Sequence, residues 1–201
     1  MTTDSEIIRR SLDHPPAFAE LFERHARVVG AFAARRVGSD AADDVLSETF
    51  LVAFRRRSSF DPTWDSAKPW LLGIASRLMK KHRGREAAQW RSLEASARRE
   101  DHITEDPSHA ADERADAEAS VRALAPRIAA LARRDRDTLL LYAWGDLTYQ
   151  EIGRALGIPT GTVRSRLNRV RRQLSSGEPT MEPAAQWMEG GTVDGTVGSR
   201  T

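Results

Sequence analysis

The sequence predicts an all-α protein in which two small helical domains are joined by a flexible linker. The domains are an N-terminal helical bundle and a C-terminal four-helix domain with a helix-turn-helix. Apolar residues recur at helical spacing in two blocks, residues 15–85 and 121–175. Between the blocks, aromatic residues almost vanish, and Glu, Asp, Ala and Ser offer too little hydrophobic surface to drive folding. We therefore expect domains at residues 1–86 and 118–175, an acidic linker at 87–117 and a disordered tail at 176–201.

Composition excludes several classes of protein. Hydrophobic residues make up 40% of the 201 residues, and no run approaches the roughly 18 apolar residues of a membrane-spanning helix. The first residues lack the pattern of a signal peptide, so we expect a cytoplasmic protein without membrane insertion. Cysteine is absent, and the five histidines form no His-x-x-x-His pair. We therefore expect no metal site and no cofactor.

The sequence also argues against an enzyme. It holds no nucleophile–base set and no glycine-rich loop that would cradle a phosphate. Asp43 and Asp44 are adjacent and point to different helix faces, which is poor geometry for paired acid–base chemistry. We expect no catalysis and no small-molecule substrate.

Charge is distributed unevenly along the chain. Residues 1–85 and 121–175 are net positive, whereas residues 86–120 are net negative. Two basic blocks around an acidic spacer indicate two places that meet a polyanion. The alternative is that arginine-rich helices merely solvate the surface, and charge alone does not separate these interpretations.

The N-terminal block reads as successive helices. Pro15 and Pro16 stand where a helix can start, a long helix follows over 41–57, and a third is expected from Pro69 to about Arg83. The apolar surface of the 41–57 helix is broad, so this helix should contact neighbours on more than one side.

The third of these helices combines an apolar seam with a cationic face. The seam consists of Leu71, Ile74, Ala75 and Leu78. Arg77, Lys80 and Arg83 lie on the other side. A cationic face beside an exposed aromatic side chain suits single-stranded nucleic acid, because phosphates need charge and unstacked bases need a π surface. Trp70 and Trp64 can each serve as that aromatic or as core.

A helix-turn-helix is predicted near the C-terminus. Thr148 and Glu151 fit a capping box that opens a short helix. Gly157 can take the left-handed conformation that ends this helix, and Thr160 is a plausible N-cap for the next. In the second helix Val163, Leu167, Val170 and Leu174 fall on one line, and Arg, Ser and Asn side chains occupy the opposite face. Such a helix suits the major groove. The alternative is a surface helical hairpin with a solvated basic face.

These C-terminal residues resemble a known family. Leu147–Ile152, Ala155–Ile158 and Gly161–Leu167, followed by Arg169 and Arg171, are similar to the C-terminal domain of extracytoplasmic-function (ECF) sigma factors. The resemblance implies that this domain binds the −35 promoter element. The implied contact residues are Thr162, Arg164, Ser165, Asn168, Arg169 and Arg172.

The N-terminal block carries a second resemblance. Asp44–Leu51, followed by Ala53–Arg55, is similar to the sigma segment that docks on the coiled coil of the polymerase clamp. The implied polymerase-binding residues are Asp43, Asp44, Ser47, Glu48, Leu51, Phe54 and Arg55. Asp43 and Asp44 also have a simpler interpretation, since acidic side chains are favourable near a helix N-terminus. The family usually has glutamine where Ser47 stands.

A third resemblance lies in Trp70–Ala75 and the basic residues that follow. This stretch is similar to the part of the family that melts and holds the −10 element. The implied single-strand contacts are Trp70, Arg77, Lys80, Lys81, His82, Arg83 and Arg85. The family often carries Asn and Asp where Arg77 and Lys81 stand, so this stretch is more basic than usual.

Together the resemblances imply a sigma factor. Its partners would be core RNA polymerase and promoter DNA, duplex at −35 and single-stranded at −10, with an anti-sigma factor as a further partner. The alternative is a stand-alone helix-turn-helix regulator, which leaves residues 44–55 and 70–85 unexplained.

Overall fold

The computed structural model describes residues 2–80, 82–100 and 124–175, and every regular element in these ranges is helical. The helices are α1 (Asp4–Asp13), α2 (Ala19–Val37), α3 (Ser39–Arg55), α4 (Lys68–Leu78), α5 (Arg83–Glu100), α6 (Arg133–Ala143), α7 (Tyr149–Leu156) and α8 (Thr160–Ser175). Residues 124–130 are also helical. Short 3-10 turns cover Pro15–Phe18 and Arg57–Ser59. Among the helices of the described ranges, none combines the length and apolarity needed to cross a membrane.

Helix α1 was not predicted. Its N-terminus is a capping box, in which the Thr3 hydroxyl accepts from the backbone N–H of Glu6 at 3.2 Å and Glu6 accepts from the backbone N–H of Thr3 at 2.8 Å. Ile7 and Ile8 are buried against the N-terminal bundle. The Thr-x-x-Glu pattern is the one that marks α7, so the same signal was available here.

Helices α2 and α3 pair to form the centre of the N-terminal bundle. Leu21, Val29 and Phe32 of α2 and Val45 and Phe50 of α3 are buried in one core. The predicted 41–57 helix is therefore confirmed, with its bounds shifted two residues towards the N-terminus. Helix α3 contacts both α2 and α4, as its broad apolar surface predicted.

Helix α4 is shorter than expected. A single helix was predicted from Pro69 to about Arg83, but α4 ends at Leu78 and α5 begins at Arg83. Every residue from Leu71 to Ser76 is buried, rather than one seam. A helix buried all round lies between two bodies. The second body is the C-terminal domain, which contacts α4 through α7.

The first part of the predicted linker is helical in the structure. Residues from 87 onward were assigned to a flexible linker, but α5 continues to Glu100. Trp90, only 3% exposed, stacks on Trp144 of the C-terminal domain, with ring centroids 5.8 Å apart. This aromatic contact stabilises the helix where low overall hydrophobicity predicted none. Residues 101–117 of the linker and the tail 176–201 lie outside the described residues.

The C-terminal domain contains the predicted helix-turn-helix in α7 and α8. Thr148 and Glu151 form the capping box, with hydrogen bonds of 3.3 and 2.8 Å. Gly157 ends α7 at φ +68° and ψ +42°, which confirms the left-handed conformation. Val163, Leu167 and Val170 of α8 pack inward with Leu141 and Ile152, so the predicted apolar back of α8 is confirmed.

A buried carboxylate ties α1 to the loop before α4. Asp4 accepts hydrogen bonds from the backbone N–H of Ala67 at 2.8 Å and from Arg24 at 3.1 Å, and it lies 2.7 Å from Nε2 of His25. Burial alone would raise the pKa of Asp4, but the hydrogen bonds from His25 and Ala67 outweigh it and lower the pKa to about 2. The side chain of Ser5 donates to the carbonyl of Trp64 at 2.7 Å. Asp4 and Ser5, which are neighbours in the chain, thus both fix the loop that precedes α4.

We predict that Asp4→Asn lowers the free energy of unfolding by about 1–2 kcal/mol at pH 7, because an amide cannot accept the same charge-assisted bonds. The contribution of a carboxyl whose folded-state pKa is depressed is present above its ordinary pKa of 3.8 and is lost as pH falls towards 2. Urea unfolding should therefore show a smaller difference in the free energy of unfolding between wild type and variant at pH 3 than at pH 7. Asp13→Asn, at an exposed position, is the control. The same difference in the free energy of unfolding at both pH values would contradict the lowered pKa of Asp4.

Candidate polymerase and promoter interfaces

An acidic and apolar strip lies on the outer face of α3. Asp44, Ser47 and Leu51 are exposed at spacings of three and four residues, so they share one side of the helix. Leu51 is 47% exposed, which is unusual for a large apolar side chain in this chain. Asp43 is also exposed, and Glu48 is half-buried. Most of the predicted polymerase-binding set therefore forms one continuous surface.

Phe54 and Arg55, the last two residues of that set, differ in exposure. Arg55 is exposed at the end of α3. Phe54 is half-buried: its ring meets Phe18 edge-on at 5.3 Å, and the guanidinium of Arg57 lies 4.0 Å from its centroid. Phe54 therefore supports the strip from beneath rather than forming its outer surface.

Phe22 extends this surface and was not among the predicted site residues. Phe22 is 44% exposed, and its ring packs edge-on against that of Phe50, with ring centroids 4.8 Å apart. Phe50 precedes Leu51 in the chain. Helical spacing alone does not separate Phe22 from the core residues of α2, because a phenylalanine near the core edge gives the same pattern. No sequence signal separated the two.

The two predicted −10 residues of α4 have different surroundings, since Trp70 packs on the N-terminal core and Arg77 contacts the C-terminal domain. Trp70 is half-buried and meets Phe60 edge-on at 5.1 Å, so most of its ring belongs to the core. Arg77 donates through Nη2 to the carbonyl of Ala155 in α7 at 3.0 Å. Burial, with a smaller contribution from the nearby charge of Arg56, lowers the pKa of Arg77.

The remaining cationic residues gather beyond the end of α4. Lys80 and Arg85 are exposed, and His82 is half-buried. Nη1 of Arg85 lies 3.8 Å from a carboxylate oxygen of Asp44, an exposed pair that joins the predicted −10 set to the α3 strip. Lys81 and the side chain of Arg83 lie outside the described residues.

Trp64 lies in the loop before α4, between the two domains. Its ring meets Phe60 edge-on at 5.7 Å, and the guanidinium of Arg154 from α7 stands 5.5 Å from its centroid. The sequence left Trp64 open between core and base-stacking roles. In the structure it contacts both the core and the C-terminal domain.

Four of the six predicted −35 contact residues are exposed on the outer face of α8. Arg164, Ser165 and Asn168 are exposed on one side, opposite the buried Val163 and Leu167. Arg172 is exposed one turn further on, and Thr162, half-buried, accepts a hydrogen bond from the Ser165 hydroxyl at 2.9 Å. Exposed Arg and Asn side chains on one helix face are the donors that read base edges in a major groove.

Arg169 has a structural partner. Its Nη1 donates to both carboxylate oxygens of Asp135 at 2.9 Å, and Asp135 is 1% exposed. This charge-assisted contact fixes α8 to α6. Arg169 thus carries a structural role beside the DNA contact that the resemblance implies, whereas Arg164 extends from the same helix into solvent.

We predict that Arg169→Ala lowers the free energy of unfolding by about 1–3 kcal/mol, because the buried Asp135 carboxylate loses its cation. Arg164→Ala, which removes the same charge from the exposed face, should change it by less than about 0.5 kcal/mol. Urea unfolding of both variants measures the difference. Equal stabilities would contradict a structural role for Arg169.

Similar proteins share both halves of this architecture. The sigma-70 region 2 family model matches residues 21–89, and the sigma-70 region 4 model matches residues 122–174. The RNA polymerase sigma factor CarQ of Myxococcus xanthus is 35% identical over 173 residues, which cover 84% of this chain and 94% of CarQ. The ECF sigma factor SigE of Mycolicibacterium smegmatis is 33% identical over 169 residues, which cover 79% of this chain and 60% of SigE.

Solved structures show the same fold. CnrH, in complex with the cytosolic domain of CnrY, superimposes with a TM-score of 0.60 at 22% identity, covering 86% of this chain and 94% of CnrH. The sigma factor RpoE of Bartonella quintana, in complex with the anti-sigma factor NepR, gives 0.50 at 19% identity, covering 78% and 93%. With these matches to both regions, and with CarQ alike over nearly its whole length, the chain belongs to the extracytoplasmic-function type of RNA polymerase sigma factors, which direct promoter-specific transcription initiation.

Proposed function

We propose that this sigma factor divides its work between three surfaces: the α3 strip binds core polymerase, the outer face of α8 binds the −35 element, and α4 with the start of α5 holds single-stranded −10 DNA. The proposal rests on one observation: two exposed surfaces with different side-chain chemistry lie on two different helices of the chain. An acidic and apolar strip lies on α3, and arginine with asparagine lies on α8. The two surfaces suit different partners.

The α3 strip suits a basic helical partner. Asp44 supplies charge and Leu51 supplies apolar area on one helix face, with Phe22 adding to the apolar part from α2. An exposed apolar side chain rimmed by charge is typical of a protein–protein contact. We assign the partner as the coiled coil of the polymerase clamp.

The α8 face suits duplex DNA. Arg164 and Asn168 are positioned by a helix whose back is fixed in the core, so they can meet base edges without loss of helix structure. The phosphate contacts of such a domain make binding steeply dependent on salt.

The −10 assignment rests on charge and aromatic surface. Lys80 and Arg85 can hold phosphates, and Trp64 and Trp70 lie nearby in the chain. Binding energy from the other two surfaces would offset the cost of unpairing and unstacking −10 bases, on the order of a few kcal/mol per base. The chain then acts in the cytoplasm by binding rather than by catalysis. Two solved relatives are held in complexes with a cytosolic CnrY domain or the anti-sigma factor NepR, which supports an anti-sigma partner here as well.

The region 2 match favours this function over a stand-alone helix-turn-helix regulator. It spans residues 21–89 and so includes both the α3 strip and α4. A regulator that used only α7 and α8 would leave those surfaces without a role.

We predict that Arg164→Ala with Asn168→Ala reduces −35-dependent transcription about 10- to 100-fold, since a good base contact is worth roughly 1–3 kcal/mol. The measurement is in-vitro transcription with purified core polymerase on a promoter library, alongside a polymerase pull-down. Polymerase binding should be unchanged. The exposed Arg134→Ala removes a charge outside α8 and serves as the control, and a variant that lost polymerase binding would contradict the division of labour.

We predict the reverse for Asp44→Ala with Leu51→Ala. Removing the charge and the apolar contact should weaken core polymerase binding about tenfold or more. Binding of the isolated factor to −35 duplex should not change. The pull-down measures the first quantity and fluorescence anisotropy the second, with Asp13→Ala on α1 as the control. Unchanged polymerase binding would show that the partner docks elsewhere.

A further inference from the structure

We propose that a cavity between α5 and α6 is a binding site for a phosphate group, carried by a small organic molecule or free as the inorganic ion. Its lining combines cationic and apolar side chains, among them Arg91, Arg133, Arg136, Ala87, Trp90 and Ala129. None of these belongs to the residues named above for polymerase or promoter binding. The site therefore adds a ligand to the functions of the chain and does not rest on their assignment.

Buried donors without acceptors gather beside this cavity. Among the described residues, seven buried side-chain nitrogen or oxygen atoms have no hydrogen-bond partner, and six of them belong to four side chains: Arg36, Trp90, Arg133 and Arg136. The last three line the cavity, and Arg36 donates to Glu86, which also lines it. Folded proteins leave few buried donors unpaired, so six at one cavity indicate a ligand that supplies acceptors.

The charges beside the cavity do not balance. Arg36 donates through Nη2 to Glu86 at 2.7 Å and to Asp137 of α6 at 2.6 Å. Both carboxylates have a second arginine nearby, at more than hydrogen-bond length. Nε of Arg133 lies 3.6 Å from Asp137, and Nε of Arg136 lies 4.0 Å from Glu86. Three arginines thus share two carboxylates, which leaves one positive charge uncompensated.

A phosphate fits this cluster better than a carboxylate does. Arg91, exposed in the lining, adds a second positive charge to the excess. A phosphate monoester carries a charge of about −1.5 to −2 at pH 7 and three acceptor oxygens, whereas a carboxylate has a single charge and two oxygens. Arg133 and Arg136, with side chains 26% and 16% exposed, can present paired N–H groups to such oxygens. Arg136 is held in place because its Nη1 donates to the backbone carbonyl of Ala129 at 2.8 Å.

The cavity is larger than a phosphate alone requires. Its volume is about 480 Å³, within the roughly 300–1,000 Å³ that small-molecule sites occupy. Ala87, Ala129 and Trp90 give it an apolar side, and stacking on Trp144 fixes the Trp90 ring. Apolar surface beside a cationic cluster suits a molecule that joins an organic ring to a phosphate. The structure therefore favours a small organic phosphate over the inorganic ion.

Such a ligand would stabilise the contact between α5 and α6. The lining residues Trp90 and Arg91 come from α5, and Arg133 and Arg136 come from α6. A ligand that binds only the folded protein raises its unfolding temperature as the ligand concentration rises. Binding can therefore be measured without polymerase or promoter DNA.

Two pairs of substitutions in the full-length chain test the site. Ala87→Glu places a carboxylate at the cavity, where it repels phosphate and competes for the arginines. Ala88→Glu makes the same change at the next position of α5, which is exposed beside the lining, and is the matched control. Arg133→Gln removes a cation from the lining, and Arg134→Gln removes one from the exposed neighbouring position.

The probes are AMP, inorganic phosphate and adenosine, compared at constant ionic strength by isothermal titration calorimetry and thermal unfolding. We expect AMP to bind more tightly than phosphate and adenosine not to bind, because the site needs both the charge and the ring. Ala87→Glu and Arg133→Gln should each weaken AMP binding about tenfold or more, since hydrogen bonds to charged groups are the strong ones. The rise in unfolding temperature with AMP should shrink in the same two variants. Ala88→Glu and Arg134→Gln should change neither quantity.

The other outcomes are equally decisive. Equal affinities for AMP and inorganic phosphate, with the same loss in Ala87→Glu and Arg133→Gln, would support the site and assign it to the free ion. Dissociation constants above about 1 mM for both would overturn the proposal. An equal loss of binding in Ala87→Glu and Ala88→Glu would also overturn it, as would adenosine binding as tight as that of AMP.

Discussion

The arrangement of the two domains depends on the guanidinium of Arg36. This group lies at the centre of the molecule with no exposed surface, and its two carboxylate partners come from α5 and α6. Taking a cation out of water costs several kcal/mol unless opposite charges compensate it. Glu86 belongs to the N-terminal side and Asp137 to the C-terminal side. The charge balance of the N-terminal core is thus completed by the other domain.

Helix α5 makes that balance possible. Glu86 and Trp90 lie one helical turn apart on the same face of α5. Glu86 pairs with Arg36, and Trp90 stacks on Trp144. The two residues bring one polar and one aromatic contact to the same junction. Helix α4 lies beside it, and its residues 71–76 are all buried, because its seam faces the N-terminal core and Gly73 faces α7. Arg77, one of the residues proposed to bind −10 DNA, therefore lies where the domains meet.

Local patterns in the sequence were enough to predict α3, the helix-turn-helix and the exposed face of α8. The capping box at Thr148, the left-handed Gly157 and the apolar back of α8 depend only on neighbouring residues, and the structure confirms all three. The two partners of Arg36 lie 50 and 101 residues away and the partner of Arg169 lies 34 residues away, and no local spacing reveals such pairs. The continuation of α5 past residue 86 was missed for the same reason, since Trp90 is stabilised by a ring from the other domain. Helix α1 is a different case: its Thr3–Glu6 signal is local and was overlooked.

The stacked pair of Trp90 and Trp144 has an optical consequence. Two indole rings held nearly parallel with centroids 5.8 Å apart couple their electronic transitions, whereas rings on separated domains do not. Near-ultraviolet circular dichroism of the unlabelled chain therefore contains a signal from the domain junction itself. Stopped-flow recording of that signal during urea unfolding would give the rate at which the stacked pair comes apart.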